Sequence, residues 1–149
     1  MRAVVQRVTS AAISVNGEVT GHIGAGLLTF VGIARTDEPR DVEYISNKIC
    51  ELRVFADDHG RMNRSVIDTG GALLIASQFT LLADCRKGRR PSLDAAAPPA
   101  LAEALYTDLI RRLRARDLTV ATGVFQAHME VALVNDGPVT MLLDSRGAF

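Results

Sequence analysis

Residues 73–81 read Leu-Leu-Ile-Ala-Ser-Gln-Phe-Thr-Leu, and they decide the fold because they predict a central β-strand. Their apolar start is typical of a strand that is covered on both faces. The polar side chains of Ser77, Gln78 and Thr80 then interrupt the apolar run. On an extended strand Gln78 and Thr80 would point to one face, and Ser77 and Phe79 to the other. Since an unpaired polar group in a core costs about 1–3 kcal/mol, these residues indicate either a strand end turned to solvent or a functional site.

Further strands are predicted before this stretch. Residues 1–8 contain β-branched valines, which favour extended structure. Residues 12–20 indicate a hairpin around Asn16 and Gly17, a pair that tolerates the positive φ angles of a tight turn. Residues 27–31 are short, apolar and bounded by glycines, as expected of another strand.

Two long helices are also predicted, one before and one after the central strand in the sequence. The first has Thr36 or Asp37 as its cap and Pro39 in its first turn. Its buried face consists of residues at helical spacing: Val42, Ile45, Ile49 and Leu52. The second opens at residues 98–99 and carries a stripe of leucines: Leu101, Leu105, Leu109 and Leu113. Many strands with two long helices predict a single α+β domain over residues 1–149, with two packed, barrel-like β-sheets and both helices on an outer face.

The composition restricts the functional classes. There are 17 basic and 17 acidic residues, so only a local patch could attract nucleic acid. Cys50 and Cys85 make no disulfide framework, and Cys50 is expected in the core. Residues 1–8 turn polar too early for a signal peptide, and no apolar run approaches the ~20 residues of a membrane helix. These features predict a soluble, cytoplasmic protein without a membrane partner.

The common hydrolase signatures are missing from the sequence. There is no Gly-x-Ser-x-Gly elbow, no phosphate-binding loop with Gly-Lys-Ser/Thr, and no His-Glu-x-x-His helix. His22, His59 and His128 are far apart, and each is expected to be a surface or strand residue. No local ligand spacing supports a metal site, so neither a metal nor a cofactor is expected.

Two other segments are distinctive. Residues 86–92 read Arg-Lys-Gly-Arg-Arg-Pro-Ser, which indicates either a solvated loop or a phosphate contact. Residues 135–140 read Asn-Asp-Gly-Pro-Val-Thr, and the first four of them lie between two predicted strands, residues 131–134 and 139–143. The second segment is either a simple turn or a site, and its sequence leaves the isomer of the Gly137–Pro138 bond open.

Together these segments resemble the D-aminoacyl-tRNA deacylase family, also called the D-tyrosyl-tRNA deacylase family. The resemblance runs in order through residues 1–8, the Ser-Gln-Phe-Thr-Leu of residues 77–81, residues 88–92, and the Asn-x-Gly-Pro-Val-Thr pattern of residues 135–140. The chain departs from the family at Leu93, where Phe is common, and at Gln126, where Gly is common. Both departures bear on substrate range.

The resemblance implies hydrolysis of the ester bond of D-aminoacyl-tRNA, with glycyl-tRNA as a second substrate. It implies catalytic positions at Ser77, Gln78, Phe79 and Thr80, with backbone N–H groups near Phe79 and Thr80 as the oxyanion hole. Nothing near Thr80 in sequence would activate it as a nucleophile. The resemblance instead implies a mechanism assisted by the terminal 2′-hydroxyl of the tRNA.

The resemblance also implies a homodimer with active sites at the subunit interface. Gly137 and Pro138, joined by a cis bond in the family, would enter the partner's site and present backbone oxygens to the substrate. An L side chain would collide with this backbone, so specificity would arise by exclusion. Arg7 matches a family arginine that holds the Gly-Pro segment.

Three alternatives remain open at the level of sequence. One is a non-catalytic tRNA-binding module that uses residues 86–90, and another is a metal-dependent esterase. The third is a related deacylase with a trans Gly137–Pro138 bond that acts on mischarged L-alanyl-tRNA. No DNA partner is expected, and the sequence does not indicate which D-amino acids or tRNAs are preferred.

Overall fold

The computed structural model describes residues 1–148. The elements in chain order are β1 (Arg2–Val15), β2 (Glu18–Ile23), β3 (Gly26–Gly32), α1 (Pro39–Glu51), β4 (Phe55–Ala56), β5 (Met62–Arg64), α2 (Val66–Thr69), β6 (Ala72–Ser77), a 3₁₀ turn (Phe79–Leu82), α3 (Pro99–Arg114), β7 (Val120–Thr122) and β8 (Glu130–Asp144). No helix in this part of the chain is both long and apolar enough to cross a membrane.

The strands form one strongly curved sheet in the order β2-β1-β3-β6-β7, with β8 added on β1. β1 is antiparallel to β2, β3 and β8, whereas β6 is parallel to β3 and β7. The sheet nearly closes where β2 approaches β7. The two strands lie so close that a Cβ atom at Gly21 of β2 would be 2.5 Å from the carbonyl oxygen of Thr122 of β7. The α+β class and the barrel-like sheet are thus confirmed, and the second sheet is the small β4–β5 pair.

Alternate residues of the central strands face two hydrophobic cores. Leu27 and Leu73 face the core that α1 and α3 cover, whereas Leu28 and Leu74 face the core on the other side of the sheet. Both long helices pack against the same core, as predicted. Cys50 is fully buried in it, and this burial raises the pKa of its thiol.

Local sequence signals located most elements correctly. Asn16 and Gly17 adopt φ angles of 51° and 81°, so the predicted hairpin turn is confirmed. α3 begins at Pro99, as predicted. The predicted cap of α1 is wrong, because Glu38 occupies the N-cap and forms a capping box with Asp41.

Asp37 does not cap α1 because its carboxylate is buried and used elsewhere. One oxygen accepts a hydrogen bond from the α-amino group of Met1 at 2.6 Å, and the other accepts one from the backbone N–H of Ala34 at 2.7 Å. Asp37 therefore joins the start of β1 to the segment that precedes α1.

The predicted central strand is correct only as far as Ser77. The backbone N–H of Gln78 still donates to the carbonyl oxygen of Val31 at 2.7 Å, and residues 79–82 then fold into the 3₁₀ turn. This turn lies directly on β3 at Gly32, where a Cβ atom would come within 2.5 Å of Leu82 Cδ2. The polar side chains of residues 77–80 therefore do not alternate between the two faces of a strand.

Candidate active site

The Asn-Asp-Gly-Pro segment forms a bulge within one continuous strand, β8, and the prediction of two separate strands is wrong. Gln6 pairs with Thr140, and Val8 pairs with Asn135. Between these pairs β1 has only Arg7, whereas β8 has residues 136–139. The extra residues must leave the plane of the sheet. We call residues 136–139 the Gly-Pro loop.

The backbone of the Gly-Pro loop is exposed and has an unusual conformation. Residues 136–138 are exposed, whereas the side chain of Val139 is buried. Gly137 has φ +137°, and the Gly137–Pro138 bond is cis. A Cβ atom at Gly137 would lie 2.7 Å from Val139 Cγ2 and 2.9 Å from the Val139 nitrogen. Only glycine fits this position without displacing its neighbours.

Arg7 contacts the Gly-Pro loop from the opposing strand. Its Nε donates to the carbonyl oxygen of Asp136 at 3.2 Å and lies 3.1 Å from the carboxylate of the same residue. Its Nη1 donates to the carbonyl oxygen of Val54. The planar guanidinium thus joins the loop to the segment between α1 and β4, a task that suits its fixed set of donors.

Asn135 is a second anchor of the loop, and the sequence analysis gave it no such role. Its Oδ1 accepts a hydrogen bond from the backbone N–H of Val139 at 2.8 Å, and its Nδ2 donates to the Val139 carbonyl oxygen at 3.2 Å. The side chain therefore replaces the strand partner that the bulge removes. Asn side chains commonly bond to nearby backbone groups, so an Asn at the start of a turn segment is a local signal for such a role.

The 3₁₀ turn presents two free backbone donors. The first N–H groups of a helix have no partner inside it. Those of Phe79 and Thr80 have no hydrogen-bond acceptor anywhere in residues 1–148. The Thr80 hydroxyl accepts a hydrogen bond from Gln78 Nε2 at 3.0 Å, and no acidic or basic side chain of the described chain hydrogen-bonds to it. The turn can thus donate to an oxyanion, but it has no built-in base for Thr80.

A cleft of about 560 Å³ lies against this turn. Ser77, Gln78, Phe79 and Thr80 all line it, so the structure brings together the four predicted catalytic positions. The other walls are mostly apolar and include Ala96, Ala97, Pro99 and Phe125. An apolar cleft with a few convergent polar groups is typical of a small-ligand site.

The cleft does not include every predicted site residue. Arg7, Gly137 and Pro138 are absent from its lining. Within one described chain, the Gly-Pro loop and the 3₁₀ turn therefore do not line a common cleft.

The two departures from the family pattern lie in different surroundings. Gln126, with φ +62°, lines the cleft next to Phe125 and Ala127. Leu93 is half-buried and does not line the cleft. Of these two residues, only Gln126 therefore lines the cleft.

The histidines lie on the surface, as expected. His22, His59 and His128 are all exposed, and His128 borders a smaller cavity beside Ser77 and Gln78. Among residues 1–148, no group of three or more His, Cys, Asp or Glu side chains is arranged to hold a metal ion.

The model of the D-Tyr-tRNA(Tyr) deacylase family matches residues 4–144 of this sequence. The chain belongs to this family. It is similar to proteins named D-aminoacyl-tRNA deacylase from Desulforudis audaxviator (strain MP104C), at 54% identity, and from Syntrophotalea carbinolica (strain DSM 2380 / NBRC 103641 / GraBd1), at 58% identity. Each match covers 149 residues and 100% of both chains. The predicted enzyme class, a hydrolase that acts on aminoacyl-tRNA, is thereby confirmed.

Two solved structures share the fold. One is described as a c-Myc DNA Unwinding Element Binding Protein; it has a TM-score of 0.91 at 40% identity and covers 97% of this chain and 98% of its own. The other is described as a probable eukaryotic D-amino acid tRNA deacylase, with a TM-score of 0.82 over 95% of this chain and 97% of its own. At 16% identity, the second likeness shows the fold alone.

Proposed function

We propose that this chain removes D-amino acids from tRNA by ester hydrolysis in the cleft beside the 3₁₀ turn, releasing the free amino acid and intact tRNA. Two unpaired backbone N–H groups, those of Phe79 and Thr80, are the observation on which the mechanism depends. They lie at a cleft that also contains the polar groups of Ser77 and Gln78. Such an arrangement suits an ester carbonyl whose oxygen becomes negative as water attacks.

The attacking group in this mechanism is water rather than Thr80. A threonine hydroxyl needs a neighbouring base to become a nucleophile, and within residues 1–148 the Thr80 hydroxyl has a hydrogen bond only with the Gln78 amide. The terminal 2′-hydroxyl of the tRNA is adjacent to the ester and can take a hydrogen bond from the water. The water oxygen bonds to the carbonyl carbon, and the 3′-oxygen leaves with a proton.

A homodimer would bring the Gly-Pro loop to the cleft. β8 pairs only with β1 in the described chain, so its other edge is free. Val134 and Leu142 on this strand are 56% and 59% exposed, one on each side of the loop. A long edge strand with exposed apolar side chains favours pairing with another chain. The loop projects from β8 and is absent from its own cleft, which supports its insertion into the partner's cleft.

The inserted loop would select substrates by handedness. Arg7 and Asn135 hold its backbone in place, and Gly137 and Pro138 are exposed. A rigid backbone beside the substrate's α-carbon would exclude an L side chain and leave the D side chain free. Glycyl-tRNA would also be hydrolysed, since glycine has no side chain to exclude.

The test is the release of free amino acid from three substrates, D-tyrosyl-tRNA, L-tyrosyl-tRNA and glycyl-tRNA, with and without a strong chelator. We expect release from the first and third substrates, little from the second, and no effect of the chelator. Binding without any release would indicate a tRNA-binding module, and loss of activity with the chelator would indicate a metal-dependent esterase. Equal release of D- and L-tyrosine would refute the filter. Sedimentation of the purified protein tests the dimer.

A further inference from the structure

The basic loop of residues 86–90 contains three cations without a protein partner. Lys87, Arg89 and Arg90 are exposed, and none has an ion pair or hydrogen bond from its side chain within residues 1–148. Arg86 differs because it is bound to Asp84 through Nε at 2.9 Å and Nη2 at 2.7 Å. Residues 85–93 contain no acidic residue. The loop is therefore a local source of positive charge on a chain whose net charge is +0.

In the other arginine cluster, three of the four arginines contact an acidic side chain, and the fourth, Arg114, donates to the carbonyl oxygen of Val120. Arg111 and Arg112, in the last turn of α3, both donate to the carboxylate of Asp108. Arg116, just beyond α3, donates to the Asn47 side chain and lies 3.9 Å from the carboxylate of Glu51. Charge that is already paired attracts a further anion weakly, so the two clusters differ in their capacity to bind phosphate.

The basic loop connects two segments that line the cleft. Its base is closed by two backbone hydrogen bonds between Asp84 and Ser92, at 2.8 and 3.0 Å. Three residues separate the loop from the 3₁₀ turn, and the loop is followed by Ala96 and Ala97, which also line the cleft. Both ends of the loop thus join segments that line the cleft.

We infer that Lys87, Arg89 and Arg90 bind the backbone phosphates of the 3′-terminal nucleotides of tRNA, an inference that rests on the proposed hydrolysis of aminoacyl-tRNA. An ester bound in the cleft continues into a polynucleotide that must leave over the rim. It carries one phosphate per nucleotide, so more than one can meet the cations of a short loop. Lysine and arginine heads recognise phosphate without reading bases.

This assignment gives the loop a definite contribution to substrate choice. The cleft contacts the aminoacyl ester and its adenosine, whereas the loop distinguishes an ester carried on RNA from a free aminoacyl nucleoside. Because the contacts are to phosphate, they should not depend on the sequence of the tRNA. They should also weaken with salt, since each phosphate contact releases condensed counterions.

The test compares two substrates and two triple variants. The loop variant is Lys87→Gln/Arg89→Gln/Arg90→Gln. The control variant, Arg111→Gln/Arg112→Gln/Arg114→Gln, removes the same charge at a point about 18 Å along α3 from Pro99. The substrates are D-tyrosyl-tRNA and D-tyrosyl-adenosine, which has no phosphate. The measurement is kcat/KM as a function of salt concentration, with thermal unfolding as the check on folding.

For the loop variant we expect kcat/KM on D-tyrosyl-tRNA to fall by roughly tenfold or more at low salt. In a plot of log kcat/KM against log salt concentration, the slope should become shallower by about 2. Three phosphate contacts are lost, and each single-strand contact contributes ~0.7 to the slope. The ratio of activity on tRNA to activity on adenosine should fall, whereas the control variant should keep both the ratio and the slope. An unchanged slope, or an equal loss on D-tyrosyl-adenosine, would overturn the inference.

Failure of the proposed function would look different. If the wild-type protein released tyrosine from neither substrate, hydrolysis would be refuted. The salt dependence of binding to uncharged tRNA would then still test the loop by the same comparison of variants. A flatter slope in the loop variant alone would support phosphate binding, and identical slopes in all three proteins would contradict it.

Discussion

The guanidinium of Arg7 on β1 lies directly opposite the Gly-Pro loop of β8, with its Nε 3.2 Å from the carbonyl oxygen of Asp136. The same side chain also donates to the carbonyl oxygen of Val54, and only 13% of it is exposed. Three separate segments of the chain therefore meet at one residue. The register of β1 and β8 expels the loop from the sheet, so no strand ladder holds it. Side-chain contacts such as those of Arg7 must therefore fix its position.

Arg7→Lys should loosen the loop while it keeps the positive charge. A lysine has a single ammonium head and cannot reach both carbonyl oxygens with fixed geometry. Hydrogen bonds from charged groups contribute about 1.5–3 kcal/mol, so we expect the preference for D- over L-tyrosyl-tRNA to fall about ten- to hundredfold. Arg112→Lys, at the ion pair with Asp108, is the control. An unchanged D/L ratio would show that Arg7 does not position the filter.

Gly137→Ala should disturb the loop from within. The new Cβ atom would crowd Val139 at distances below 3.0 Å, in a backbone conformation that L residues rarely adopt. We expect at least a tenfold loss of kcat/KM on D-tyrosyl-tRNA together with a lower D/L ratio. Gly17→Ala is the matched control, because Gly17 also has a positive φ, of +81°, but open space around it. If both variants kept wild-type selectivity, the loop could not be the filter.

Thr80→Ala should keep substantial activity, within about tenfold of the wild type. The variant removes the acceptor of the Gln78 amide but retains the backbone N–H that we assign to the oxyanion hole. Loss of a true nucleophile costs far more, on the order of 10⁶ in kcat in a serine protease. Release of D-tyrosine is measured alongside tRNA binding. An inert variant that still folds and binds tRNA would exclude the mechanism assisted by RNA.

The 2′-hydroxyl can be tested on the substrate itself. D-Tyrosyl-tRNA ending in 2′-deoxyadenosine should bind normally and react slowly, because proton transfer by a positioned group contributes about 10²- to 10⁴-fold. Single-turnover rates separate the chemical step from binding. Equal rates for the deoxy and ribose substrates would assign no catalytic part to this hydroxyl.

Tyr106→Phe should reveal a buried phenol through the dependence of stability on pH. The Tyr106 hydroxyl donates to the carbonyl oxygen of Ile75 at 2.9 Å, and burial raises its pKa to about 12. At neutral pH the variant should lose only about 0.5–1.5 kcal/mol, because Ile75 also accepts from the Gly123 N–H.

The sign of the pH effect follows from which state releases the proton first. Between pH 10 and 12 the unfolded phenol ionises while the folded one does not, so the unfolded state binds fewer protons and the wild type loses stability as pH rises. The loss should reach about 2 kcal/mol, from 1.36 kcal/mol per pKa unit. Urea unfolding of both proteins from pH 9 to 12 measures it. Parallel curves for the two proteins would show that Tyr106 is not the group responsible.

Sequence alone determined the features that depend on short stretches of chain. The turn at Asn16 and Gly17, the start of α3 at Pro99 and the core position of Cys50 all follow from local conformational preference or spacing. Residues 77–80 stood out for the same reason, since their polar side chains break an apolar run. Each of these signals lies within a few residues of the feature it predicts.

Tertiary structure decided what depends on residues far apart in the chain. β6 stops at Ser77 because the following turn fits against Gly32, and the Gly-Pro loop leaves the sheet because β1 offers only Arg7 opposite it. Phe125 likewise lines the same cleft as residues 77–80, but nothing in the sequence near either segment indicates that they meet. Register and close approach are settled by contacts between strands that lie tens of residues apart, and a local pattern carries no information about them.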